Sequence, residues 1–317
     1  MSYNDKNPST SRRDALKLGL YSGLTALAAG GIGKALAADK GQGLISKTLP
    51  FNGQKMPCVG IGTNSFTVDD VPNLEVVLKR MSELGGTFID AAASYKGSEL
   101  AIGQVLSNLK MRDKFFISSK ISSGPKIMGD LGGEKAFERS LERLKTDHLD
   151  LLLVHNMLGT EELMPKFVEW KKAGKIRNLG ISTSDNSDHE QMAAFMKKYP
   201  LDFIEVNYSI ANRASDEVIL PLAQDRKIAV VANQPFGGKH EENLFLNNKR
   251  VLPAWAADIN CSSWSEFLLK FVVYHPAVTV VVPGTTKMDH MESNLHAGNG
   301  PMPDAAMRKR MADAWNV

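Results

Sequence analysis

Eight short apolar runs, each followed by a stretch with helical spacing, constrain this chain more than any other feature. The runs are residues 58–62, 87–90, 115–120, 149–155, 176–182, 203–207, 228–232 and 278–282. Between them, Leu74, Val77, Leu78 and Met81 recur at helical spacing, as do Phe137, Leu141 and Leu144, and Leu163, Phe167 and Trp170. Continuous apolar runs of this length suit strands buried on both faces of a parallel sheet. Eight such units within about 250 residues, with no second hydrophobic region, predict one α/β domain in the form of a (β/α)₈ TIM barrel. Ahead of the first unit, residues 45–49 and 55–57 flank Pro50-Phe51-Asn52-Gly53. Asn-Gly between extended runs predicts an N-terminal β-hairpin, placed as a lid on the barrel's N-terminal end.

The first 37 residues stand apart from this pattern. Ser11-Arg12-Arg13-Asp14-Ala15-Leu16-Lys17 is a twin-arginine sequence, followed by an uncharged run over 18–33 and by Ala35-Leu36-Ala37, a small-residue cleavage site. Residues 1–37 therefore read as a signal peptide and 38–317 as the barrel, giving an exported, periplasmic protein that engages the twin-arginine export machinery. The apolar run is too short and too rich in glycine for a stable membrane span. Five of the chain's 38 basic and two of its 35 acidic side chains lie in this leader, so the remainder is formally neutral. With no Lys/Arg cluster there is no electrostatic footprint for nucleic acid. Cys58 and Cys261 stand in apolar contexts and read as packed thiols, with no metal-ligand spacing.

In a barrel, strand ends distant in sequence meet at one face. The second run ends in Asp90, with Tyr95 in the loop beyond; the third ends in Lys120 and the fourth in His155. A lysine closing a buried strand requires a carboxylate, and Asp90, one strand away, supplies it. A cation fixed beside Tyr95 is expected to lower its pKa from about 10 and make the phenol a proton donor. His155 would hold a substrate carbonyl oxygen through a hydrogen bond. No Gly-x-Gly-x-x-Gly follows any strand, so a dinucleotide would not be held by a Rossmann turn.

The run Phe88-Ile89-Asp90-Ala-Ala-x-x-Tyr95-x-Gly97-Ser98-Glu99, Lys120, Asp150-Leu-Leu-Leu-Val-His155 and Pro283-Gly284-Thr285-Thr286-Lys287-x-x-His290-x-x-x-Asn294 resemble, in order, the aldo-keto reductases. The resemblance covers residues 45–300. It implies an oxidoreductase that reduces aldehyde or ketone carbonyls, or oxidises the corresponding alcohols, by hydride transfer. Tyr95 would be its general acid, tuned by Lys120 and Asp90. It also implies a cofactor site built from Gly62 and Thr63, Ser182 and Thr183, Glu205, Gln234-Pro235-Phe236-Gly237, Gly284, Thr285 and Thr286, with Lys287 and His290 toward a 2′-phosphate and Asn294 toward adenine. Those two basic residues favour NADP(H) over NAD(H). Five positions depart from the family: Lys96 in place of Gly, Thr183 where Asn is frequent, Glu205 where Gln is usual, Asn233 in place of an aromatic platform, and His290 in place of Arg. Glu205 and Asn233 support the alternative of an exported barrel that binds nucleotide, another ligand or a partner without redox turnover.

Overall fold

The structure is a computed structural model that describes residues 43–124, 132–238, 243–245 and 248–316. The leader read over 1–37 lies outside the described residues. A hairpin of β1 (Ser46–Thr48) and β2 (Lys55–Pro57) comes first, antiparallel, with Lys47 opposite Met56. Its turn closes through Gly53, whose φ of 80° suits a residue without a Cβ. The barrel strands follow as β3 (Ile61–Gly62), β4 (Phe88–Asp90), β5 (Phe116–Ile121) and β6 (Leu149–Val154). Then come β7 (Ile176–Ser182), β8 (Phe203–Asn207), β9 (Ala229–Asn233) and β10 (Val278–Val281). All eight pair in parallel in chain order, and single bridges from Val59 to Val281 and from Gly62 to Gly284 join the two edges. The predicted (β/α)₈ barrel is thus the observed fold.

Helices α1 (Val71–Glu83), α2 (Ser98–Leu109), α3 (Gly133–Leu144), α4 (Thr160–Lys172), α5 (His189–Lys198) and α6 (Ile219–Asp225) connect successive strands up to β9. Helix α7 (Trp264–Val273) precedes β10, and α8 (Met288–His296) and α9 (Ala305–Asn316) follow it. The face read from Leu74, Val77, Leu78 and Met81 is fully buried against the strands. Several strand limits differ from the sequence reading; β3, for example, starts at Ile61 rather than at 58. Strand β9 begins at Ala229 because Ile228 still donates its N–H to Ala223 of the preceding helix, after Lys227 turns left-handed at φ 57°. His155 leaves the strand and opens a short 3₁₀ turn, and β5 runs one residue past Lys120 to Ile121.

Two apolar layers result from the alternation of side chains along each strand. Leu152 and Val154 point outward into the belt between strands and helices, whereas Leu151 and Leu153 point inward. The inner set joins Phe88, Phe116, Phe203, Val231 and Val280, together with Leu49 and Met56 of the hairpin. Phe51 meets Phe203 edge to face at 5.6 Å, so the hairpin plugs the end at which the strands begin. Lys47 anchors it by donating to the carbonyls of Val273, His275 and Val278 where α7 ends. With its lower half filled by apolar side chains, the barrel leaves space only at the strands' C-terminal ends.

Candidate functional site

The same alternation that fills the barrel's floor places polar groups at its mouth. Phe88 faces inward, so Asp90 does too; Phe116 sets the parity of Ser118 and Lys120, and Phe203 that of Glu205. Lys120 Nζ lies 2.6 and 2.5 Å from the two Asp90 carboxylate oxygens and donates to the Ala91 carbonyl at 3.0 Å. Glu205 Oε2 stands 3.1 Å from the same ammonium, and its Oε1 accepts from Asn233 Nδ2 at 3.0 Å. Two carboxylates therefore share one cation, with all three residues at most 3% exposed. Burial, with Glu205 beside it, pushes Asp90 up from its ordinary value despite Lys120.

Tyr95 sits above this group, its ring centroid 5.4 Å from Lys120 Nζ and its edge 5.9 Å, centroid to centroid, from His155. A turn closed by Tyr95 N–H donating to Ala92 O holds it there, and Gly97 then starts α2 at φ 79°. The expected lowering of the tyrosine's pKa is not what the surroundings produce. Lys120 exerts the largest single influence and lowers it, but burial and the negative charges of Asp90 and Glu205 together prevail, leaving it raised to about 12. The sequence reading considered only the cation. His155 moves the other way, to about 4, because burial and Lys120 both oppose a charged ring. Its Nδ1 is 3.2 Å from Ser94 Oγ; with Ser94 donating, the neutral ring keeps its proton on Nε2.

Asp90, Ser94, Tyr95, His155, Glu205 and Asn233 border a cavity of about 600 Å³ over the strand ends. It also receives Gly62, Thr63, Ser182 and Thr183, then Gln234, Pro235, Phe236 and Gly237 after β9, and Gly284 after β10. Not all of the expected cofactor groups are free to serve a ligand. Thr63 Oγ1 is spent on the Asp90 carbonyl at 2.8 Å and on Ser98, and Thr183 Oγ1 donates to Asp188 at 2.6 Å, so both hydroxyls tie loops together. Thr285, Thr286, Lys287 and His290 lie outside the cavity where α8 begins, Lys287 and His290 exposed, while Asn294 is buried within that helix. Sequence reasoning missed Ser94 and the cross-barrel contact of Glu205 with Lys120. The inward parity of Phe203 and Glu205 was the signal for the second.

Asn233 Oδ1 is a buried acceptor without a hydrogen-bond donor, Glu205 Oε2 is met by the Lys120 ammonium at 3.1 Å, and both belong to residues lining this cavity. A primary carboxamide, with two N–H donors, matches them, so the donor set fits a nicotinamide even though Glu205 replaces a glutamine. A larger cavity of about 720 Å³, bordered by α1, α7 and α8, contains none of the strand-end groups. Among the described residues no cluster of His, Cys, Asp or Glu could hold a metal ion, and no helix is long and apolar enough to cross a membrane. Cys58 and Cys261 are both buried free thiols.

Comparison with known proteins gives a consistent picture. The profile of the aldo/keto reductase family matches residues 58–312. Methylglyoxal reductase YeaE of Escherichia coli is 30% identical over 260 residues, covering 78% of this chain and 88% of that protein. Two solved structures of aldo/keto reductase from Klebsiella pneumoniae cover 86% of this chain and 96% of their own. One, in complex with NADP and acetate, superposes with a TM-score of 0.70 at 25% identity; the other, in complex with NADPH, with 0.69 at 26%.

The depressed pKa of His155 has a checkable consequence. Between pH 5 and 8 the ring stays neutral, so its NMR resonances should titrate near pH 4. Because the folded value lies below the ordinary 6.5, the native state loses stability through this group as pH falls from 6.5 toward 4. A midpoint above pH 6 would contradict the geometry.

Proposed function

Since the chain belongs to the aldo/keto reductase family and is an NADP(H)-dependent carbonyl oxidoreductase, we propose that the cavity over β4, β5, β6 and β8 is its active site, with Tyr95 as general acid. The observation that carries this reading is the meeting of the Tyr95 phenol and the neutral His155 ring at one point of the cavity, above a buried ammonium. His155 Nε2–H donates to the carbonyl oxygen and orients it. Tyr95 gives its proton to that oxygen as negative charge develops there. A phenol held at about 12 is fully protonated at neutral pH and remains a far stronger acid than an alcohol, so the transfer runs downhill. Lys120 steadies the phenolate left behind. NADPH held in this cavity would supply the hydride for reduction, and NADP⁺ would accept it in alcohol oxidation.

Asn233 and Glu205 would accept hydrogen bonds from the nicotinamide carboxamide, the loop from Gln234 to Gly237 with Gly62 and Gly284 would line the dinucleotide, and Lys287 and His290 would meet a 2′-phosphate. The intact set of Asp90, Tyr95, Lys120 and His155 favours turnover over a barrel that only binds. Tyr95→Phe keeps the ring and removes the proton. It should lower kcat/KM by at least about 10²-fold toward methylglyoxal, named for the Escherichia coli relative, and toward aromatic aldehydes, with NADPH affinity unchanged. Retention of activity in this variant would contradict the assignment.

We further propose that residues 1–37 direct export by the twin-arginine route into the periplasm. That route carries folded proteins, so a cofactor bound in the cytoplasm could travel with the barrel. Replacing Arg12 and Arg13 together by Lys should leave the protein in the cytoplasmic fraction at its full length. Undiminished delivery of the double variant to the periplasm would refute this routing.

A further inference from the structure

Glu205 moves no proton in the reaction just described, yet it is among the most costly groups to bury at the site. It projects inward from β8 and is 3% exposed. Among the described residues its one ion-pair partner is Lys120, at 3.1 Å, which Asp90 already engages through both carboxylate oxygens. Asn233 supplies a single neutral hydrogen bond. Tyr95 and His155, the other polar groups at this level, are uncharged at neutral pH. At pH 8, where Asp90 has passed the value of about 7 to which burial and Glu205 push it, two carboxylates face one ammonium, and the base of the cavity carries one negative charge more than it can balance. A buried surplus charge is unfavourable until a counter-ion reaches it.

The field of Glu205 extends to the reacting position. Lys120 acts more strongly on Tyr95, and burial on His155, but the Glu205 carboxylate favours the protonated form of both rings. Its charge is thus felt where a carbonyl oxygen held between those rings would lie. A hydride donor must bring its reactive carbon to the same place. In the oxidised nicotinamide nucleotide that ring is a cation, in the reduced one it is neutral, and the adenosine and phosphate portions are the same in both. Only the ring's charge distinguishes the two at this point.

Resting on the active-site reading above, we propose that Glu205 makes this cavity selective for the oxidation state of its nucleotide, binding NADP⁺ more tightly than NADPH. Asp90 cannot do this alone, since Lys120 neutralises it; a glutamine at 205 would keep the shape and lose the effect. A unit charge acting over this range in a partly screened interior alters affinity by about tenfold. That ratio makes the bound nucleotide a stronger reductant than the free one, by about 30 mV for a two-electron couple. It also delays departure of the oxidised form.

The test is calorimetric titration of the wild-type protein, Glu205→Gln and Glu205→Asp at pH 8 with NADP⁺, NADPH and adenosine 2′,5′-bisphosphate, which lacks the nicotinamide. The wild type should bind NADP⁺ about tenfold more tightly than NADPH. Glu205→Gln should bring the two within about twofold and leave the bisphosphate unaffected, whereas Glu205→Asp, which keeps the charge, should retain most of the preference. Wild-type protein that prefers NADPH or binds both equally overturns the inference without recourse to a variant, and so does a preference that survives in Glu205→Gln. Failure of the wild type to bind either nucleotide is a separate result, which overturns the active-site reading and this inference with it.

Discussion

The Lys120 ammonium, buried at the centre of the barrel mouth, is the interaction on which the rest of the site depends. It joins three strand ends at once: its own on β5, Asp90 on the neighbouring β4 and Glu205 across the lumen on β8. An ion of this kind is unfavourable in a protein interior unless its geometry is well satisfied. Here two bidentate oxygens, a backbone carbonyl and a second carboxylate satisfy it. Tyr95 and His155 then take their properties from this cluster. Against the lowering pull of Lys120, burial and the two carboxylates keep the phenol protonated, and burial, with the ammonium, keeps the imidazole neutral. One group is thereby a proton donor and the other a neutral hydrogen-bond donor over the whole physiological range.

The apolar half of the barrel makes such a cluster possible. Phe88, Phe116 and Phe203 lie on the inner face of the same strands that carry Asp90, Lys120 and Glu205, each an even number of residues upstream. With the hairpin residues Leu49 and Met56 closing the far end, they leave the charged groups access to solvent only through the cavity above. A side chain at an even offset from an inner phenylalanine cannot turn away into the helical belt without slipping the register of its strand. Packing at one end of the strand thus fixes chemistry at the other.

Much of this was legible in the residues. Eight apolar runs with helical spacing between them specify the barrel, and the polar termini of the second, third and fourth runs specify Asp90, Lys120 and His155, because only strands buried on both faces produce that pattern. Asn52-Gly53 marked the hairpin. What was not legible needed the closed barrel. Glu205 and Lys120 lie 85 positions apart on strands that do not touch, so only curvature of the sheet brings them together. For the same reason, the expectation that Lys120 would lower the pKa of Tyr95 failed: it left out the second carboxylate and the burial. Thr63 and Thr183 were read as lining the cofactor pocket, and both border the cavity, but the partners of their hydroxyls, the Asp90 carbonyl with Ser98 and the Asp188 carboxylate, were not legible. Sequence order shows which strand end a residue occupies, and not which neighbour its last hydrogen bond will choose.

Carbonyl reduction here requires that the cavity bring a hydride donor and a protonated Tyr95 to the same carbonyl. The most direct measurement is a single turnover with NADPH deuterated at the transferred position of C4, offered to the protein with a panel of aldehydes and ketones and followed by mass spectrometry of the alcohols. The product should carry one deuterium on its carbinol carbon and none on its oxygen after exchange into water. Unlabelled alcohol, or no alcohol from any carbonyl in the panel while the nucleotide remains bound, would contradict it.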